Sequence, residues 1–424
     1  MEEPRLTTRR VRHRRRVPRH VLVALPLAVA GLISLGVTGN TLRPFDRIIT
    51  LDARMASKSD YFRDPEVRRL LLEHGIRVDI RRLGSRGIAT QSLRGMDVVF
   101  PSGQPAAKLV LDRQDRSVRS VRPFVTPLVL GTFRAYAETL VAAGVATRQQ
   151  TQGGAPTLYY DLNMPAFMNL LDGVHGGSPR ADQDRDGKEE GADTWNGIGY
   201  DNSGEHSNSG RVLVRTSNVC ESNSAGTYLS LLAFVANGNS TPGTQNVNDP
   251  ELARAAVTAV AEKIKPLINL QGMWADEQAD SYLSDLGESI APISLIYEHQ
   301  YLAHQVAHHA KYDEQDTSRV LLYPTPYALT EPQLISLTDD GDRLVQLIEE
   351  DEALRDRAIE LGFRVRFKGE YGTSERLNAY LGERDIQVPV PNRDQTKSYE
   401  PELSVLEQII DYVGSCPPPD RSAP

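Results

Sequence analysis

Hydrophobic and polar positions change rhythm repeatedly along the chain. "RIITLDA" (Arg47–Ala53) is a short apolar run with strand propensity. "DPEVRRLLLEHG" (Asp64–Gly75) has helical spacing, with Asp64 as N-cap, Pro65 in the first turn and Gly75 past the end. "IRVDIRRL" (Ile76–Leu83) alternates as a strand does, and "MDVVF" (Met96–Phe100) predicts another. Strands interleaved with helices imply an α/β fold with helices on the faces of a sheet.

Further along, "RPFVTPLVLGTF" (Arg122–Phe133) predicts a strand leaving this first lobe. "YAETLVAAGVA" and "MPAFMNLLDGV" read as helices, and "RVLVRTS" (Arg211–Ser217) as a strand. "VCESNSAGTYLSLLAFVANG" (Val219–Gly238) reads as an apolar helix opened by three small polar residues. "PISLIYEHQYLAHQVAHH" (Pro292–His309) predicts a strand running into a helix, and "SRVLLYPTPY" a strand. An amphipathic helix pair spans Gly341–Phe363, and "PELSVLEQIIDYVG" (Pro401–Gly414) is a last helix.

Each early strand ends in a small polar loop: "ASKSD" (Ala56–Asp60), "LGSRG" (Leu83–Gly87) and "PSGQPA" (Pro101–Ala106). In open α/β sheets ligands sit outside the carboxyl ends of strands. Loops of Ser and Gly also make plain turns. Three in succession point beyond turn-making to a site.

Charge is unevenly placed. Residues 1–20 hold eight arginines against two glutamates, while the whole chain carries a net charge of −8. The body is therefore acidic and poorly suited to nucleic acid. The basic block precedes the uncharged run "VLVALPLAVAGLISLGV" (Val21–Val37). That pairing predicts a transmembrane anchor or a signal segment over 21–39, with the basic tail 1–20 cytoplasmic and the body outside. Two cysteines in an exported protein allow one disulfide, Cys220–Cys416, or two free thiols.

The acidic stretch "DQDRDGKEEGAD" places Asp182, Asp184 and Asp186 at the first, third and fifth positions of a calcium loop. Gly187 stands at the sixth, Glu190 at the ninth and Asp193 at the twelfth. This spacing suits a structural calcium ion, against the alternative of a solvated acidic loop. "HQVAHH" puts His304 and His308 four apart, but Gln305 stands where a zinc protease carries its glutamate. A solvated helix face is the better reading there.

The order and spacing of these pieces resemble type 2 periplasmic solute-binding proteins, the extracellular receptors of ABC transporters. The pieces are "ITLDARMASKSDYFRDPEVRRLLLEHGIRVDI", "GSRGIA", "DVVFPSGQPAA", "FVTPLVLGT", "SNSAGTYLSLLAFVANG", "LIYEHQYLAHQ", "VLLYPTPY" and "DEALRDRAIELGFR". The resemblance implies a two-lobed α/β fold with mixed sheets and a ligand in the cleft between lobes. It implies hinges at Thr126-Pro127 and before Tyr297. Lobe one would be 45–127 plus 297–415, lobe two 128–296 with an Asp-rich insert at 176–210, and 416–424 a tail.

On this arrangement Ser57, Lys58, Ser85, Arg86, Ser102 and Gln104 of lobe one would face Ser222, Asn223, Ser224 and Gly226 of lobe two. The helix terminus beginning at Ser222 offers unpaired N–H groups and a positive dipole end. Ser222 or Ser224 could equally be an N-cap. The expected function is capture of a small polar or anionic ligand by a monomeric, non-enzymatic receptor serving a permease. The alternatives are an anchored envelope sensor or scaffold of the same fold and, further off, a hydrolase. No nucleophile elbow, P-loop or GxGxxG after the first strand supports an enzyme.

Overall fold

A computed structural model describes residues 48–114, 117–151, 155–171, 193–201, 204, 206–244, 249–271, 273–274, 278–365, 374–390 and 396–416. From Ile49 onward the chain forms one compact unit.

Strand β1 (Ile49–Met55) is followed by α1 (Ser59–Arg63), α2 (Pro65–Glu73), β2 (Ile76–Arg82), α3 (Ser85–Thr90), β3 (Val98–Phe100), α4 (Gln104–Asp112) and β4 (Ser120–Val121). Asp64 caps α2 as the sequence predicts, its Oδ1 accepting the N–H groups of Glu66 and Val67 at 3.0 Å. The long strand β5 (Phe124–Phe133) then leads the chain away from this sheet without pairing in it, and is buried along its whole length.

Next come α5 (Arg134–Ala142), β6 (Ala146–Arg148), β7 (Tyr159–Asn163), α6 (Met164–Leu171), β8 (Thr216–Ser217), α7 (Asn223–Ala236), α8 (Pro250–Gln271) and β9 (Met273–Trp274). Then follow α9 (Gln278–Leu283), α10 (Gly287–Ile290), β10 (Ile293–Tyr297), α11 (Glu298–Tyr312), β11 (Arg319–Thr325), β12 (Ala328–Thr330) and β13 (Leu334–Ser336). The last elements are α12 (Asp339–Glu350), α13 (Glu352–Glu360), β14 (Arg364–Val365), α14 (Glu375–Gly382) and α15 (Leu403–Gly414).

Two mixed sheets organise these elements. The first runs β2-β1-β3-β13-β4, with β1 parallel to β2 and β3, and β13 antiparallel to β3. The second runs β10-β5-β11-β7-β6. Each sheet carries its own helices, so the two-lobed α/β fold stands.

The crossings differ from expectation in one place. The first is β5, which pairs β14 and β12 through Phe124–Leu128 and then β10 and β11 through Leu128–Phe133. The second crossing runs from β11 through β12 to β13, beyond Thr325, and not before Tyr297. β10 and β11 both pair with β5 inside the second sheet, so residues 293–325 fold with lobe two. Residues 387–390 hydrogen-bond to lobe two at Gln149 and Leu158, and α15 packs on α7 and α8. The boundary 297–415 for lobe one is corrected accordingly: α12 and α13 stay with lobe one, while α11, β11 and α15 do not.

Cys220 and Cys416 form a disulfide that pins the end of α15 beside the start of α7.

Candidate functional site

A cavity of about 640 Å3 opens between the lobes. Lobe one contributes Met55, Ala56 and Ser57 from the end of β1, and Arg82, Leu83, Gly84 and Ser85 from the end of β2. Lobe two contributes Ser217 and Asn218, the stretch Glu221–Ser224, α9, and the junction of β10 with α11 at Tyr297 and Gln300. The carboxyl ends of strands thus define the site, as open sheets lead one to expect.

The three polar loops of lobe one are tied together at this wall. The hydroxyls of Ser57 and Ser102 lie 2.8 Å apart, and the Ser102 N–H donates to Ser85 Oγ at 2.9 Å. Ser102 is fully buried behind Ser57 and Ser85, so it positions them without lining the cavity.

Helix α7 faces them from lobe two. Ser222 is its N-cap in extended conformation (φ −96°, ψ 134°), yet no side chain caps the first turn. The Ser222 hydroxyl instead lies 2.8 Å from that of Ser224. The first-turn N–H groups of a helix have no intrahelical acceptor, and this turn borders the cavity. The capping alternative for Ser222 and Ser224 is thereby answered: the position is that of a cap, but the side chains bond to each other.

Lys58 is fully buried and does not line the cavity; its Nζ stands 2.9 Å from the centre of the ring of Tyr297, which does. The charged residues of the lining, Arg82, Glu221 and Asp280, are all exposed. The deep surface therefore consists of hydroxyls, carboxamides and apolar carbons, with the positive end of α7 at one side.

Three expected residues turn elsewhere. Arg86 is nine-tenths buried, but its guanidinium faces α15, bonding Glu407 at 2.6 Å and Asp411 at 2.9 Å. Gln104 donates through Nε2 to Glu331 at 2.8 Å. Gly226 faces α15, where a β-carbon would meet Ile410 in ordinary contact. Five of the expected residues, Ser57, Ser85, Ser222, Asn223 and Ser224, do share the cavity wall.

Sequence reasoning missed Tyr297, Gln300, Gln278 and Asn218. The signal for the first two was present: "LIYEHQ" is one more strand end, and Tyr297 and Gln300 form the junction, with the Tyr297 N–H donating to Gln300 Oε1 at 3.0 Å. Asn218 sits two residues before Cys220, where its Oδ1 accepts the Cys220 N–H.

Asp182, Asp184, Asp186 and Glu190 lie outside the described residues, as do 1–20 and 21–39. Asp193 is described, and its carboxylate is paired with the Arg211 guanidinium. Among the described residues no group of three or more His, Cys, Asp or Glu is arranged to hold a metal, and no helix is long and apolar enough to cross a membrane. His304 is not simply solvated: its Nε2 meets Asp316 Oδ2 at 2.9 Å.

No protein-family model matches the chain, and no curated protein matches it. Solved structures do. Iron-bound HitA from Pseudomonas aeruginosa is 11% identical, over 86% of this chain and 99% of that one, with a TM-score of 0.47. The periplasmic binding protein AfuA from Actinobacillus pleuropneumoniae, with exogenous fructose-6-phosphate bound, is 8% identical over 86% and 97%, at 0.46. An ABC transporter protein from Clostridium perfringens is 10% identical over 86% and 98%, at 0.42.

Proposed function

We propose that this chain is a receptor that captures a small polar ligand, with an anionic group at one end, between its two lobes and performs no chemistry on it. The observation that carries this reading is the single cavity wall shared by Ser57 and Ser85 of lobe one and Ser222, Asn223 and Ser224 of lobe two. A ligand there touches both lobes at once, so it favours the closed arrangement by its differential contacts. The anionic end belongs at the α7 terminus, where unpaired N–H groups and the dipole favour negative charge. Delivery to a membrane permease for uptake is the role we assign to the loaded form.

The test is a thermal-shift screen of the full chain against small carboxylates, sugar phosphates, sugars and amino acids. The best stabiliser is then titrated by calorimetry against Ser222→Ala with Ser224→Ala. Each lost hydrogen bond to a ligand group is worth about 0.5–1.5 kcal/mol, so losing two lowers affinity by roughly 5- to 150-fold. Unchanged affinity in the double variant, or a screen without any stabiliser, overturns the reading.

A further inference from the structure

Helix α15 is attached to both lobes. On lobe two its apolar face, Leu406, Ile409, Ile410 and Val413, is buried where α15 packs on α7 and α8. Lys265 Nζ donates to the Tyr412 carbonyl at 3.0 Å, and the disulfide from Cys416 reaches Cys220 just before α7. These contacts fix α15 to lobe two covalently and by packing.

On lobe one the partner is Arg86 of α3. Its Nε and Nη2 donate to Glu407 Oε2 at 3.0 and 2.6 Å, and Nη2 donates to Asp411 Oδ1 at 2.9 Å. Glu407 and Asp411 are four apart and therefore stand on one face of α15. The Arg86 side chain is only 10% exposed, so these charge-assisted bonds replace most of its water. Beside them, Ala106 and Leu109 of α4 share a small pocket with Leu406 and Ile410 of α15.

The contact stands next to the lip of the cleft. There Gly84 of lobe one packs against the Glu221 carbonyl, and Gly103 packs against the Asn223 side chain. Upstream of α15, Ser398 N–H donates to the Tyr327 carbonyl and Tyr327 N–H to the Thr396 carbonyl, on the second crossing. The C-terminal segment thus follows the crossing, covers lobe two and grips lobe one.

We infer that α15 is an interlobe strap whose Arg86–Glu407/Asp411 grip holds the cleft lip shut, so that the lobes part only when this grip releases. Two crossing strands alone make a hinge that bends freely. A third connection, covalent at one end and ionic at the other, turns that hinge into a latched one. The inference concerns lobe motion and holds whatever the cavity binds. It assigns a regulatory task to a residue that the sequence placed in the ligand site.

Amide hydrogen exchange of the full, oxidised chain tests it without a ligand. Glu407→Gln with Asp411→Asn keeps the size of both side chains and removes the charge. Exchange in peptides covering 83–90 and 219–226 is expected to quicken by on the order of tenfold, while core strands 128–132 and 320–324 stay as protected as before. Arg86→Glu with Glu407→Arg and Asp411→Asn, which restores one opposed pair and leaves no carboxylate facing position 86, is expected to return the lip to slow exchange. Unchanged exchange at the lip overturns the strap. So does equal acceleration of lip and core in both variants, which would make the contact a general fold contact instead.

Discussion

The side-chain amide of Asn223, in the first turn of α7, fills the space that a β-carbon on Gly103 would need. Such an atom would lie 2.7 Å from Asn223 Cγ. Gly103 is in ordinary extended conformation (φ −153°, ψ 165°), so the neighbour and not the backbone angle demands glycine. Gly84 has the same relation to the backbone of Glu221, whose carbonyl carbon would lie 2.7 Å away. The two differ in what can yield: Asn223 can swing its amide aside, whereas the Glu221 peptide is fixed by the turn before α7. Gly84→Ala is therefore expected to cost about 1–3 kcal/mol, the usual range for overpacking, and to part the lip. Gly103→Ala should cost less. Urea midpoints of the two variants check the order, and equal midpoints would sink the account.

The Cys220–Cys416 bridge closes a sequence separation of 196 residues. Long closed loops restrict the unfolded chain most in the chain-entropy model, and loss of a native disulfide costs about 2–5 kcal/mol. Here the bridge also anchors the end of α15, since Cys416 follows Gly414 by two residues. Cys220→Ser with Cys416→Ser is expected to lower the urea midpoint and to free the C-terminus of α15 for exchange before the core opens. A midpoint equal to that of the parent would show that packing alone holds the helix.

The parts of this fold that were legible in the sequence are those set by local pattern. β1 follows from a short apolar run, α2 from the Asp64 cap and from Gly75, which adopts φ 71° after the helix, and β2 from alternation. Ser57 and Ser85 were legible because a strand end is a local signal with a topological meaning. What failed was long-range. β10 and β11 are fully or almost fully buried strands, and such apolar runs suit either sheet equally. Their pairing with β5 joins residues some 160 or more apart, which no window can register. Arg86 shows the same limit: next to Ser85 in a polar loop it reads as a ligand contact, yet its partners stand 321 and 325 residues away.

Glu400 adds a pH dependence. It lies between the strap and lobe two, where Thr227 Oγ1 donates to its Oε1 at 3.3 Å. Burial pushes its carboxyl from 4.5 up to about 7, with Glu331 nearby acting in the same direction and Lys397 and Thr227 opposing. A folded value above the unfolded one means that the folded state binds the proton more tightly. This contribution to stability is full below about 4.5 and is lost as pH rises through about 7. Glu400→Gln keeps the uncharged shape at every pH. The melting temperature of the variant is expected to match the parent near pH 5 and exceed it near pH 8. Parallel curves across that range would remove Glu400 from the account.

A buried ion pair, Glu298–Arg364, ties α11 to β14. Glu298 is fully buried; Arg364 Nε donates to its Oε2 at 2.7 Å and Nη2 to its Oε1 at 2.5 Å, and the Tyr323 hydroxyl donates to Oε1 at 2.7 Å. Arg364 Nη1 also donates to Ser374 Oγ at 2.6 Å. β14 pairs with β5 at Phe124 and Val125, so the pair links lobe two to the first crossing strand where it leaves lobe one. Removing one member leaves the other charged in a dry site, which costs about 3–5 kcal/mol, whereas replacing both with apolar groups of similar size costs far less. Glu298→Leu alone is expected to lower the urea midpoint sharply, and adding Arg364→Met is expected to restore much of it. The coupling comes from the uncompensated guanidinium, so the two changes are strongly non-additive. Additive midpoints would mean that Arg364 finds water or another carboxylate once Glu298 is gone, and that the crossing does not depend on this pair.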